Sequence, residues 1–148
     1  MKLGIATDHN GVEQKKEIIN YLENLGYEVV DYSPNNTPGD DYPIYAKIVC
    51  ENVLNKNVDL GILMCGTGIG MSIAANKIKG IRCAKVSSTS EASLTKEHNN
   101  SNVIALNYTT PIEELKNIIK VFIETPFSFD ERHIRRISLI TELEGNDD

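Results

Sequence analysis

Short apolar runs alternate with amphipathic segments along the chain, and this alternation restricts the fold more than any other feature. Lys2-Leu3-Gly4-Ile5-Ala6-Thr7 stops at Asp8-His9-Asn10-Gly11, which reads as a strand followed by a turn. Residues 12–25 then place Val12, Ile18, Ile19, Leu22 and Leu25 among charges, mostly three or four apart. That spacing predicts an amphipathic helix, ended by Gly26 at the left-handed cap position. The pairing recurs, with strands expected at 27–32, 60–64, 81–86 and 102–106 and helices at 44–56, 70–78, 88–98 and 111–124. Leu60-Gly61-Ile62-Leu63-Met64 is apolar at nearly every position, as a strand covered on both faces must be. Residues 33–43, with Pro34, Pro38, Gly39 and Pro43, form the longest loop. From Glu131 onward, Ile134, Ile137, Ile140 and Leu143 recur every third residue, predicting a final helix that packs one face. Residues 145–148 are expected to fray.

Strand and helix in this order make βαβ units, hence a parallel sheet with helices on both faces and right-handed crossovers. The expected fold is α/β: a Rossmann-like, three-layer αβα sandwich with a five-stranded parallel sheet and a C-terminal helix. At 148 residues the chain is the length of one domain, 1–148. Ligands of such sheets bind outside the carboxyl ends of the strands. That rule puts Asp8-His9, Cys65 to Gly70 and Ser87 on one rim.

Charge narrows the partners. Fifteen Lys and Arg against 21 Asp and Glu give a net charge of −6, which argues against nucleic acid and against a membrane face. The four arginines are unevenly placed: Arg132, Arg135 and Arg136 crowd around His133, and Arg82 stands alone. Such a cluster suits one small anion bound locally. Arg132 and Arg136 are four apart and share a helix face. No apolar run approaches the ~20 residues that span a bilayer, and the first residues lack the apolar segment of a secretory signal. Cys50, Cys65 and Cys83 form no CxxC pair and no Cys/His metal spacing. A cytoplasmic protein with reduced thiols is expected.

The chemistry is concentrated in Cys65-Gly66-Thr67-Gly68-Ile69-Gly70. Glycines at alternate positions let the backbone approach a ligand and present its N–H groups, with a helix N-terminus behind them. An oxyanion or phosphate fits such a loop. Three familiar loops do not match: a Walker loop needs a Lys, a dinucleotide fingerprint needs a Gly at position 71, and a cysteine phosphatase loop needs an Arg there. Position 71 is Met. Cys65 reads either as a buried small hydrophobe or as a thiol activated by the helix end. His9, beside Asp8 at a strand end, and His98, at a helix C-terminus, are further candidates.

Together these segments resemble one family, ribose-5-phosphate isomerase type B, which includes the allose- and galactose-6-phosphate isomerases. The resemblance rests on Thr7 to Gly11, Asp41-Tyr42-Pro43, the run Gly61 to Lys77, Gly80-Ile81-Arg82, Glu97-His98-Asn99, and Arg132-His133 with Arg136. It implies an aldose–ketose isomerase that uses neither metal nor cofactor. It also implies sheet order 2-1-3-5-4 and a homodimer or homotetramer whose active sites are shared between subunits. By the same resemblance Cys65 is the base that moves the proton between C2 and C1. Thr67 and the amides of Gly66, Gly68 and Gly70 hold the enediolate oxygen. His98 helps to open the furanose ring, with Asp8 as its polar partner on the sugar. Asn99 and Tyr42 contact sugar hydroxyls, and His9, Arg132 and Arg136 contact the phosphate. Three stretches depart from the family pattern: Asn107-Tyr108-Thr109 lacks the usual Arg, Ser88-Thr89-Ser90-Glu91 replaces an acidic-Pro-Tyr-Ser stretch, and Asp130-Glu131 replaces Gly-Gly. The implied reaction interconverts ribose 5-phosphate and ribulose 5-phosphate. The alternatives are a six-carbon sugar phosphate (allose or galactose 6-phosphate) as substrate, or a sugar-phosphate-binding protein without catalysis.

Overall fold

The structure, a computed structural model, describes residues 1–145. Five strands, β1 (Lys2–Thr7), β2 (Glu28–Asp31), β3 (Leu60–Cys65), β4 (Cys83–Lys85) and β5 (Val103–Asn107), form one sheet in the order β2-β1-β3-β5-β4. Every pairing is parallel. The intervening helices are α1 (Val12–Asn24), α2 (Tyr42–Leu54), α3 (Ile69–Asn76), α4 (Thr89–Asn99) and α5 (Ile112–Glu124), with α6 (Glu131–Glu142) appended. A single 3₁₀ turn, His9–Gly11, joins β1 to α1.

The three layers follow from strand alternation. Along β3, Ile62 and Met64 join a core that includes Ile18 and Leu22 of α1, Ala92 of α4 and Leu115, Ile119 and Phe122 of α5. Leu63 and Cys65 point the other way, into a core with Ala46, Val49 and Cys50 of α2 and Met71 and Ala75 of α3. A central strand buried on both faces has no place for a polar residue, which is why this segment reads as a continuous apolar run.

Boundaries differ from the sequence reading where local chemistry intervenes. Helix α2 starts at Tyr42 rather than Ile44 because Pro43 sits in its first turn, where an N–H has no partner to lose. The edge strands β2 and β4 are shorter than expected because each has a single neighbour to pair with.

The last helix corrects an expectation. The stripe on α6 is present, but Ile134, Ile140 and Leu143 are 47%, 43% and 86% exposed, and His133 is the one buried residue of that helix. The chain anchors α6 through His133 and the turn before it, where the Ser128 N–H donates to the Glu97 carbonyl at 3.2 Å. Ile140 and Leu143 border an open cavity opposite Asn76, Ile81 and Ala84 and stay largely exposed instead of packing closely on the domain. The expected fray at 145–148 falls, beyond Gly145, outside the described residues. Among the described residues, no helix is long and apolar enough to cross a membrane.

Topology separates the candidate residues into two groups. The carboxyl ends of β1 and β3 carry Asp8, His9 and Cys65. Helix α4 starts near the carboxyl end of β4 and returns the chain to the amino end of β5, so His98 and Asn99 lie at the opposite end of the sheet. Arg82, just before β4, confirms that placement: its Nε and Nη2 donate to the carbonyls of Asn99 and Asn100, both at 2.9 Å.

Candidate active site

Cys65 ends β3 and is 5% exposed. Its Sγ accepts a hydrogen bond from the Gly68 N–H at 3.2 Å. Gly68 holds φ at +79°, and a Cβ there would lie 3.1 Å from the Leu106 backbone. Only glycine meets both demands, so the sequence turns the loop back onto its own thiol. The Thr67 hydroxyl accepts from the Ile69 N–H at 3.1 Å, at the first residue of α3. The amides of residues 68 and 69 are thus committed inside the loop. That leaves fewer donors for an oxyanion than the whole run from Gly66 to Gly70 would offer. Gly66 and Thr67 are exposed. Gly70 is required by Tyr42, whose ring atoms would stand 2.5 Å from a Cβ at that position. Tyr42 therefore covers the loop from the start of α2.

Asp8 starts the adjoining turn by accepting the Asn10 N–H on Oδ1 at 3.0 Å. His9 is held by a residue from the long loop: its N–H donates to Asp40 Oδ1 at 2.9 Å, and its Nδ1 faces the same oxygen at 3.1 Å. Asp40 Oδ2 accepts from Asn36 Nδ2 and the Tyr45 hydroxyl, each at 2.8 Å, and from the Thr37 N–H at 3.3 Å. Burial opposes ionisation of Asp40, but the hydrogen bonds from Asn36, Tyr45 and His9 outweigh it and hold the carboxyl well below the usual range. Behind this hub Lys15 is buried, with Nζ 2.6 Å from the Ser33 carbonyl and 3.1 Å from Asp31 Oδ2.

Tyr108 follows β5 and donates its N–H to the Cys65 carbonyl at 3.3 Å. Its hydroxyl would lie 3.5 Å from a Cβ on Gly66. Burial, then the charges of Asp8 and Cys65, push its phenol pKa up, against a hydrogen bond with Asn10. A tyrosine thus stands between the Asp8 turn and the thiol. Thr109 turns away from any ligand role, since its hydroxyl and N–H both donate to Asn107 Oδ1, at 2.6 and 2.8 Å. Ser87 serves α4: its N–H and hydroxyl donate to Glu91 Oε1 at 2.8 and 2.7 Å, and the Glu91 N–H donates to Ser88 at 3.1 Å. Ser88 thus caps α4, and the Glu91 carboxylate reaches back one residue further, to Ser87, in a variant of the capping box.

The other candidates gather at the opposite end of the sheet. The rings of His98 and His133 stack with centroids 4.3 Å apart. His133 Nδ1 lies 3.1 Å from the Ser128 hydroxyl. Burial, then the neighbours His98, Arg132 and Arg136, lower the His133 pKa against a pull from Asp130. Arg132 and Arg136 are exposed on α6, with Arg132 Nε 3.6 Å from Asp130 Oδ2. Asn99 is exposed beside them. The length of β3, six residues, separates this group from Cys65 by about 17–20 Å. Within one chain, then, His98 does not meet Asp8, and Arg132 and Arg136 do not meet His9.

Cys65, Gly66, Thr67, Gly68, Gly70, Tyr42, Asp8 and His9 assemble as one half-site. His98, Asn99, Arg132 and Arg136 form the other. Sequence reasoning missed Asp40 and Tyr108. Asp40 lies in a Pro/Gly-rich loop with no periodic signal, and Tyr108 registered only through its neighbour, where an Arg was expected. Among the described residues, no group of His, Cys, Asp and Glu is arranged to hold a metal ion.

Comparison with known proteins places this geometry. The ribose/galactose isomerase family model matches residues 3–140. Ribose-5-phosphate isomerase B of Escherichia coli is 38% identical over 144 residues, covering 97% of this chain and 96% of that protein. The structure of ribose-5-phosphate isomerase B from Clostridium thermocellum superposes with a TM-score of 0.93 at 38% identity, covering 97% of each chain. That of Mycoplasma genitalium ribose-5-phosphate isomerase B, with bound ribulose 5-phosphate, gives a TM-score of 0.91 at 40% identity, covering 99% of this chain and 97% of the other. With a family model spanning almost the whole sequence and relatives matched from end to end, the chain belongs to the ribose/galactose isomerase family.

Proposed function

We propose that this isomerase interconverts ribose 5-phosphate and ribulose 5-phosphate, with Cys65 as the base. One observation carries the reading: a thiol at the carboxyl end of the central strand, turned into a glycine loop at a helix N-terminus, in a chain of this family. In the forward direction the Cys65 thiolate takes the proton from C2 of the open-chain aldose. The electron pair left behind forms the C1–C2 double bond, and the former carbonyl pair moves onto O1. The amides of Gly66, Thr67 and Gly70 are the donors left for that oxygen, each worth ~3–4 kcal/mol by analogy with oxyanion holes. The proton then returns to C1, O1 takes up a proton and O2 gives one up, and the 2-ketose results. The phosphate takes no part in bond making; its binding holds the sugar in place.

The second half-site supplies the remaining groups from another copy of the chain. His98 assists ring opening, Asn99 contacts a hydroxyl, and Arg132 and Arg136 take the phosphate together with His9 of the first half-site. This reading makes the protein a homodimer or homotetramer with shared sites. The uncovered stripe of α6 supports it, as do the exposed Ile44, Ile69 and Ile73 beside the cysteine loop. A cytoplasmic location belongs to the same reading, supported by three buried free thiols.

The test is turnover of ribose 5-phosphate and a six-carbon aldose phosphate by purified protein and by Cys65→Ala. Faster turnover of the pentose, lost in the variant, together with solvent deuterium entering C2 of the aldose and C1 of the ketose, is the expected result. An unimpaired Cys65→Ala, or no exchange at either carbon, contradicts it.

A further inference from the structure

We propose that Asp40 is a positioning residue for His9: it fixes the imidazole in the Nδ1–H tautomer and directs Nε2 toward the substrate phosphate. The proposal rests on the phosphate-binding role given to His9 above. Its geometric basis is a carboxylate whose two oxygens have divided duties. Oδ1 serves His9 alone, accepting the backbone N–H at 2.9 Å and facing Nδ1 at 3.1 Å. Oδ2 is saturated by Asn36, Thr37 and Tyr45. The Asp40 side chain is 7% exposed, whereas His9 is 34% exposed, so the support is buried and the supported ring is open to solvent.

The tautomer follows from donor and acceptor counting. An ionised carboxylate can only accept. With Oδ1 opposite Nδ1, a proton must therefore sit on Nδ1, and Nε2 bridges to the phosphate through a second proton, brought by the phosphate monoanion or by solvent, which makes the ring an imidazolium. The two contacts from one oxygen also fix the ring's orientation, because the backbone and the ring of the same residue are tied to a single point. The buried frame behind Asp40 makes that point rigid: Asn36 Nδ2 also donates to the Thr7 carbonyl at 2.9 Å, and Asn36 Oδ1 accepts from Lys15 Nζ at 3.3 Å. Local charge gives the arrangement its importance. In the segments that follow β1 and β5, Asp8 to Gly11 and Tyr108 to Pro111, His9 is the only side chain that can carry positive charge. The next cation along the rim is Lys85, at the end of β4 against Gly68, so on the β1 side the direction of the His9 ring decides how an anion is met.

Asp40→Asn is the discriminating variant. The three donors at the Oδ2 position outnumber the one backbone N–H at Oδ1, so the amide oxygen stays with them and the NH₂ turns toward His9, meeting Nδ1 as a donor and leaving the His9 N–H without its acceptor. Nitrogen-15 NMR of the imidazole, at a pH where the ring is neutral, reads the tautomer directly. The expected result is Nδ1–H in the native protein and Nε2–H in Asp40→Asn. The KM for ribose 5-phosphate should rise about tenfold, because a neutral Nε2–H donor replaces the charge-assisted one, with the loss falling on KM rather than kcat. Nε2–H in the native protein overturns the proposal without any variant, so a poorly folding Asp40→Asn does not block the test. A tautomer unchanged by the substitution, or a switched tautomer with unaltered KM, also overturns it. The NMR reading requires no turnover and stays interpretable if ribose 5-phosphate proves not to be the substrate.

Discussion

Gly68 and Gly70 are glycine for different physical reasons. Gly68→Ala forces a left-handed backbone on an L-residue, costing about 1–2 kcal/mol, and crowds the Leu106 backbone as well. A fall in Tm of roughly 3–6 °C is expected for a chain of this size, read by calorimetry. Gly70→Ala instead displaces Tyr42, so its effect should appear in KM for the sugar while most of the stability is retained. The thiols differ in a comparable way. Burial, with Glu51 adding to it, pushes Cys50 up to about 12, and burial raises Cys83 further. Neither thiol ionises near neutral pH, so alkylation at pH 8 should modify Cys65 first and activity should fall in step, as peptide mass mapping against residual turnover would show. Labelling of Cys50 or Cys83 ahead of Cys65 would contradict this. At this scale the sequence was readable where residue type and spacing coincide, as in the cysteine–glycine loop. Asp40 and Tyr108 were not readable, because their roles arise from contacts with residues 31 and 43 positions away in the chain, His9 and Cys65.

Among the elements, the alternation of apolar runs translated directly into strands, since each central strand buries alternate residues in two separate cores. The exception is α6, where periodicity correctly located a helix but not the partner of its apolar face. A stripe specifies that something must cover it; the pattern does not say which chain supplies the cover. His133 holds α6 to its own chain, together with the Gly80 N–H that donates to Glu144 Oε1 just past the helix, and the His133 contact is pH-sensitive. Its folded pKa lies below the ordinary value of 6.5, so the folded state binds a proton less readily than the unfolded one. The stabilisation is complete above pH 6.5 and is lost as pH falls toward the depressed folded value. Amide exchange over residues 131–142, corrected for intrinsic rate, should therefore accelerate between pH 7.5 and 5.5. His133→Phe, which keeps an aromatic ring against His98 without a titrating group, should flatten that response.

For the whole molecule, the two half-sites at opposite ends of one sheet are the consequence that matters most. The parallel βαβ architecture was legible in the sequence pattern, and the sheet order followed from the family resemblance. The division of the candidate residues was not legible, because a collinear set of motifs carries no information about which end of the sheet each reaches until the direction of α4 is followed. If Cys65 is the base and His98, Arg132 and Arg136 serve the same sugar, as proposed above, the site can be completed only with a second copy of the chain. Coexpression of two impaired variants, Cys65→Ala and His98→Ala, tests this most directly. A mixed dimer contains one site with both native residues and one with neither. With random pairing half the dimers are mixed, so the account predicts recovery to about one quarter of native turnover on ribose 5-phosphate. Mixed dimers no more active than the two parent variants would contradict it.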